Sequence, residues 1–376
     1  MKAFPTQTTY AAKSGLVIIL LAVAGDASAQ AIPKVTATAT LRIPSTKDDG
    51  DVAFAYASGA VRLRSGTVGV TDGRDNRVHF FNAGGHSIAS IGRAGDGPGE
   101  LRANWHICES APDTVMVLDR QLRRLYSYTA RGQLFRTRSL TFEANSLTCS
   151  PGGSVAVTAM PEMKGAPING GERIAYRATV HLYNSRSDSV GALRNVQVGE
   201  PRTLGRFTYF ATSGDRIAAA FGDSAFVALL NRSGEVVGGF PAGVSGRRPT
   251  PRQYHAAAEL LSAQLAVEAQ RRTSVKLMLR QPMPDRLPPY SAIVSSADGG
   301  FWVAENFPGD SLQGLVRYSR TGAPVVRTSL PGHARLLSGR DDGVLAVLED
   351  EGGDQTLTWY AVTAAGPNRG KVRRQN

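Results

Sequence analysis

The sequence predicts an all-β fold, a six-bladed β-propeller in which small four-stranded sheets stand in a ring. Three observations predict it. A short apolar triplet recurs six times, as Val68-Gly69-Val70, Val115-Met116-Val117, Val155-Ala156-Val157, Ile217-Ala218-Ala219, Trp302-Val303-Ala304 and Leu345-Ala346-Val347. After the triplets come alternating strands that end in small-residue turns, such as RVHFFNAGG (77–85), RRLYSYTARG (123–132), FVALLNRSG (226–234) and LVRYSRTG (315–322), each leading into one further short strand. The last repeat has no fourth strand of its own, whereas VTATATLRI (35–43) is an alternating strand with no repeat to belong to.

The triplets start 47, 40, 62, 85 and 43 residues apart. A unit of about 40–47 residues with four strands is the period of a propeller blade. One such sheet cannot bury both faces, but a ring of them can, leaving only short edges. Pairing 35–43 with the last repeat closes the count at six.

Taken in chain order, the first segment reads as a targeting signal. Lys2 and Lys13 precede an apolar run from Gly15 to Ala24, and Ala27-Ser28-Ala29 supplies a small-x-small cleavage site. The run is shorter than the about 20 residues a membrane-spanning helix needs, so cleavage after residue 29 and export to a periplasm or the extracellular space are expected. The propeller is then expected over 30–366, with a basic tail over 367–376 and no transmembrane segment in the mature chain. The whole chain carries a formal net charge of +12. That balance favours anionic partners, but the arginines do not interleave with aromatics as a nucleic-acid stacking platform requires, and nucleic acid is not expected.

The stretch IGRAGDGPGELR (91–102) packs four glycines and a proline between two strands. A phosphate cradle needs its glycines at the spacing that opens a helix, and here a strand follows. The segment is expected to turn the chain from the outer strand of one blade into the inner strand of the next.

At VGVTDGRDNRVHFFNAGGHSIASIGRAGDGPGELR (68–102) and TVMVLDRQLRRLYSYTARGQLFRT (114–137) the chain resembles the NHL-repeat propellers. Their pattern runs from a V-x-D turn through an N/Q-R-hydrophobic strand and a glycine turn to a Gly-rich link. It is matched well over two blades and degenerates in the others, as in FGDSAFVALLNRSG (221–234). The resemblance implies the fold. It implies no single activity, because the family includes interaction modules, RNA-binding domains and a lyase that holds metal on histidines.

Two insertions interrupt the repeat. Residues 158–178 lack periodicity and read as a loop. Residues 250–281 are rich in Ala, Leu, Glu, Gln and Arg, which favour helix. Thr250 is the expected cap with Pro251 at the first helical position, and Val275 and Leu279 mark a second segment. The helices are expected to pack over one face of the disk or along its side; a lid over the axial mouth is the alternative. The two cysteines, Cys108 and Cys149, sit 41 residues apart at similar points of adjacent inner strands, so a disulfide is expected in an exported chain.

Chemistry is sparse. The six histidines show no HxxxH spacing, and there is no CxxC or G-x-S-x-G. His106 and His333 fall where inner strands begin, Trp105, Tyr209 and Tyr290 lie near comparable starts, and Arg93 and Glu100 lie on an inter-blade link. Together, Arg93, Trp105, His106, Tyr209, Tyr290 and His333 are the candidate lining of an axial mouth. Such a mouth would suit a protein, a glycan or a small anionic ligand. No catalytic residue and no cofactor are implied, and a monomer is expected. The leading expectation is a non-catalytic binding or scaffold propeller. The alternative is a metal-dependent hydrolase of the lactonase or esterase kind, or a lyase. For these, Asp119, Glu305 and Asn306 are candidate ligands, although turn chemistry accounts for them without a metal.

Overall fold

A computed structural model of the chain describes residues 32–46, 53–161, 176–199, 203–262, 265, 267–305, 307 and 309–362. The expected signal segment (1–29), the basic tail (367–376) and Asn306 lie outside the described residues, as does most of the first insertion. No helix among the described residues is long and apolar enough to cross a membrane.

The first strand, β1 (Thr38–Pro44), is set apart from the rest. Blade one is β2 (Ala57–Arg62), β3 (Val68–Asp72), β4 (Arg77–Phe81) and β5 (Ser87–Ile91), and blade two is β6 (Asn104–Ala111), β7 (Thr114–Asp119), β8 (Arg124–Thr129) and β9 (Leu134–Ser139). Blade three is β10 (Ala144–Cys149), β11 (Val155–Ala159), β12 (Tyr176–Tyr183) and β13 (Ser189–Gly199). Blade four is β14 (Tyr209–Ser213), β15 (Arg216–Ala220), β16 (Phe226–Leu230) and β17 (Val236–Pro241). Two helices follow, α1 (Pro251–Ser262) and α2 (Glu268–Leu279). Blade five is β18 (Ala292–Ser295), β19 (Phe301–Ala304), β20 (Leu312–Tyr318) and β21 (Pro324–Pro331). The last blade takes β22 (Arg335–Arg340), β23 (Gly343–Glu349) and β24 (Gln355–Ala361) from the end of the chain, and β1 pairs antiparallel with β24 to complete it.

Every apolar triplet lies on the second strand of its blade, from β3 through β23. These strands are covered on both faces by neighbouring blades, which is why they read as unbroken apolar runs rather than alternating ones. All of β3 is buried, as is all of β19. The apolar clusters repeat the same geometry at each interface. One cluster joins Val78, Phe80 and Leu101 to Val117 and Tyr126 between blades one and two, and another joins Trp302 and Leu315 to Val344 and Ala346 between blades five and six. The ring closes through Ile43, Leu357 and Trp359 of the last blade packed on Phe54, Val68 and Phe81 of the first.

The closing strand departs from expectation at its start. Residues 35–37 do not pair in the last blade. Instead, the Val35 N–H donates to the Arg327 carbonyl and the Arg327 N–H to the Pro33 carbonyl, with a parallel bridge between Lys34 and Arg327. The incoming chain therefore laces the outer strand of blade five before it enters blade six at Thr38. Ser45 and Gln355 extend the seam: the Gln355 N–H donates to Ser45 Oγ, and the Ala57 N–H donates to Gln355 Oε1. Blade six is thus bonded to the chain as it enters blade one.

The Gly-rich link 91–102 is a closed loop and not an anion cradle. Leu101, fully buried, donates its N–H to the Arg93 carbonyl, and the Gly97 N–H goes to the Glu100 carboxylate. Arg93 binds the same carboxylate at 2.7 Å. These contacts, the Gly97 N–H foremost, hold the Glu100 carboxyl below its ordinary pKa. A Cβ on Gly95 would fall 2.0 Å from Glu100 Oε2, so the space a phosphate would take holds the protein's own carboxylate.

The second insertion folds as expected. Thr250 and Gln253 form a reciprocal cap, with the Gln253 N–H on Thr250 Oγ1 at 3.2 Å and the Thr250 N–H on Gln253 Oε1 at 2.9 Å. Tyr254 and Ala257 of α1 pack on Leu204, Leu287 and Phe307, seating the helix on the face that carries the inter-blade links. By contrast, α2 has no buried residue. It is tied to α1 through the Tyr254 hydroxyl, which reaches the Met278 and Gln281 carbonyls, and through the Ser262–Ser274 hydroxyl pair.

Candidate functional site: the axial channel

The inner strands of all six blades surround a cavity of about 630 Å³, with Val61, Ile107, Leu147, Phe210, Ile293 and Leu337 each contributed by a different blade. Between these apolar groups lie the neutral polar side chains of Asn145, Ser146, Thr148, Ser295 and Ser338. Cys108 and Cys149 belong to the same wall and are joined in a disulfide with Cα atoms 5.8 Å apart. Among the described residues the charged side chains of the lining are Arg62 and Glu109.

Glu109 is only 4% exposed and has its charge matched. The Arg64 and Asp113 N–H groups donate to its Oε1, and the Arg340 guanidinium donates to Oε2 at 2.9 Å. Arg340 also donates to the Arg62 carbonyl, so it reaches from blade six past blade one to blade two. Glu109 lines both the channel and a smaller cavity of about 240 Å³ that also touches Arg64, Arg340 and Asp298. The ion pair therefore stands between the channel and the mouth remote from the helices.

At the other end, Phe207 and Tyr209 line the channel and also a vestibule of about 500 Å³. The vestibule is walled by Ala256, Ala257, Leu260 and Leu261 of α1, by Phe307 and Gln313 of blade five, and by His333, Arg335, Glu349 and Asp350 of blade six. The helices thus pack against the disk, and α1 also roofs the entrance.

The six residues expected at the mouth separate. His106 and Tyr209 line the channel, and His333 lines the vestibule. Trp105 lies on β6, but its side chain is outside the described residues. Tyr290 is fully buried between blades four and five, its hydroxyl within reach of the Phe221 and Ser224 carbonyls and its ring 6.4 Å from Tyr209. Arg93 is held on the outside of its link by Glu100, its side chain 77% exposed. Sequence reading did not find Glu109, Arg340 or Arg335.

Enclosure lowers the His106 pKa to about 4, with the positive charge of Arg120 adding to the effect. The imidazole is therefore neutral at pH 7. Relative to an ordinary value of 6.5, the folded state binds this proton less readily than the unfolded chain does. The stability contributed here is complete above pH 6.5 and is lost as pH falls towards about 4. We expect His106→Gln to flatten the decline of urea stability between those two pH values. An unchanged slope would mean that the imidazole is not enclosed as described.

Of the residues considered as metal ligands, Asp119 and Glu305 are otherwise engaged. Asp119 accepts N–H groups from Arg102, Ala103 and Leu122, and Arg327 binds the Glu305 carboxylate. Asp72 occupies in blade one the place of Asp119 in blade two, with the N–H groups of Ala55, Tyr56, Arg74 and Asp75. Burial by itself would raise its pKa, but His79, 3.6 Å away, and these donors outweigh it and hold the carboxyl low. Asp72, Asp75 and His79 are the one group among the described residues spaced for a cation. There Asp72 already accepts four backbone donors and Asp75 pairs with Arg77, so the donor set is that of a turn.

A family model described as a 6-bladed beta-propeller (DUF5128) matches residues 54–156, which run from the entry of blade one into blade three. No curated protein matches the chain. Among solved structures, a member of the duf4221 family from Bacteroides vulgatus is 10% identical, covers 88% of this chain and 99% of its own, and has a TM-score of 0.53. A protein of Bacteroides fragilis described as exported is 14% identical over 90% of this chain and 98% of its own, with a TM-score of 0.49. A catalytically inactive virginiamycin B lyase from Staphylococcus aureus is 12% identical over 87% of this chain and 99% of its own, with a TM-score of 0.43. At these identities the likeness is one of fold. The chain is a six-bladed β-propeller with a helix-roofed axial channel.

Proposed function

We propose that this propeller, an outlying relative of the NHL-repeat type, is an exported binding protein that holds a small, mainly apolar molecule in its axial channel. The observation that carries the reading is the channel itself. Its volume of about 630 Å³ falls within the range of small-molecule sites, and apolar walls with a few convergent polar groups are their usual lining. The lining carries little charge where a ligand would sit: His106 is neutral, Glu109 is matched by Arg340, and the Arg62 guanidinium is drawn over the Trp359 ring, 4.5 Å from its centroid. The same ion pair obstructs one end, so entry is from the vestibule beneath α1. A disulfide in the channel wall supports an oxidising, extracytoplasmic compartment, in keeping with the leader expected over 1–29. The hydrolase or lyase reading finds less support, because the carboxylates that would hold its metal accept backbone N–H groups or pair with arginine.

The test is a titration with N-phenyl-1-naphthylamine, a neutral dye that brightens in apolar sites. One dye is expected to bind per chain, and Ser146→Trp, which adds an indole to the channel wall, is expected to weaken it at least tenfold. Binding that survives Ser146→Trp, in a variant whose circular dichroism matches wild type, would place the dye elsewhere and contradict the reading.

A further inference from the structure

Building on the channel reading, we infer that the ligand carries an organic cationic head with N–H donors, an amine or a guanidine, and that the vestibule beneath α1 receives it. The chain as a whole is basic, with a formal charge of +12, yet the vestibule reverses that balance. Its ionisable lining is Glu259, Glu349 and Asp350 against Arg335, with His333 beside them. Arg335 is already committed, since its guanidinium donates to the Ala57 and Ser58 carbonyls and lies 5.8 Å from the Tyr56 ring. It has little left to offer an anion. The carboxylates keep acceptor capacity: Glu349 takes the Gln355 amide on Oε2 alone, and Asp350 takes the Gly352 and Asp354 N–H groups on Oδ1 alone. Arg335 lies near Glu349, and His255 is 3.3 Å from Glu259, but three carboxylates against one guanidinium still disfavour an anionic ligand, the class suggested by overall charge.

A second observation points the same way independently. Gln313 is 8% exposed and lines the vestibule, and its Oε1 has no hydrogen-bond partner. A buried acceptor left unmatched is costly, so a turn of the Gln313 amide into the vestibule, where a ligand N–H meets its oxygen, is favoured. Aromatic faces complete the requirement: Phe207, Tyr209 and Phe307 line the same space, and rings of this kind attract organic cations. Because Phe207 and Tyr209 also line the channel, a molecule with its head among the carboxylates has its apolar body directed into the channel.

The experiment compares two competitors that differ only in the head, 4-phenylbutylamine and 4-phenylbutan-1-ol, as displacers of N-phenyl-1-naphthylamine from the mature protein. The amine is expected to displace the dye at a concentration at least tenfold lower, and its advantage is expected to shrink as salt rises. In the triple variant Glu259→Gln, Glu349→Gln, Asp350→Asn, whose substitutions lie at exposed positions, the advantage is expected to vanish while the alcohol is unaffected. Equal displacement by the two competitors in wild type overturns the cationic-head inference and leaves the channel reading standing. So does an advantage that persists in the triple variant. Absence of dye binding in wild type overturns the channel reading, and this inference with it.

Discussion

Removal of residues 30–44 from the mature chain is expected to abolish cooperative unfolding. Without β1 the edge of β24 is unpaired from Thr356 to Ala361, and the cluster around Trp359 and Leu357 loses Ile43 and Leu41. Burial of an aliphatic side chain of this size contributes about 1.5–3 kcal/mol, so the two together supply a few kcal/mol before any strand pairing is counted. The seam through Arg327 would be cut as well, and Ser45 would be left to hold Gln355 from a free chain end. Total stabilities of about 5–15 kcal/mol leave little after such a loss. The check is urea unfolding followed by near- and far-ultraviolet circular dichroism. The truncated chain should show a broad transition or none, and a synthetic peptide of residues 33–46 added in excess should restore a sharp one. A truncated chain that unfolds at the wild-type midpoint would show that the ring does not depend on this closure. The point substitution Ile43→Asp, at a position 2% exposed, should cost about 4 kcal/mol by burying an unpaired charge.

The second large effect concerns the disulfide. Cys108 and Cys149 close a loop with a sequence separation of 41, and in the chain-entropy account such a bond stabilises by about 4 kcal/mol. Reduction, or the double substitution Cys108→Ser and Cys149→Ser, should lower the urea midpoint accordingly. Both sulfurs lie in the cluster shared by blades two and three, so the loosened interface should also weaken dye binding in the channel. Identical midpoints for the oxidised and the doubly substituted protein would contradict this.

Much of the ring could be read from residues because its repeat has a plain physical cause. A strand covered on both faces by neighbouring sheets has to be apolar at successive positions, and that is the triplet. The cysteine pairing was legible for a related reason: equivalent positions one repeat apart on neighbouring inner strands come together, here with Cα atoms 5.8 Å apart. The channel was less legible. Its lining depends on which inner-strand residues turn inward, and bulges shift the register of β6 between Asn104 and His106 and again between Glu109 and Ala111. The pair that stands at one end, Glu109 with Arg340, spans 231 residues of sequence, a separation at which no local pattern links two side chains. Tyr209 and Tyr290 looked equivalent as residues near strand starts. Tyr209 begins β14 and lines the channel, but Tyr290 precedes β18 and is still in the link, where its ring is drawn between blades. Arg93 reads as a free cation of the link until Glu100, seven positions on, is seen to hold it.

The most direct test of the channel as a binding site is a crystal structure of the mature protein soaked with 4-phenylbutylamine. We predict density for the phenyl ring among Ile107, Leu147 and Ile293, with the amine on the side of Tyr209 that faces Glu349 and Asp350. Density seated on the outer strands or on α2, with the channel holding solvent alone, would contradict the account.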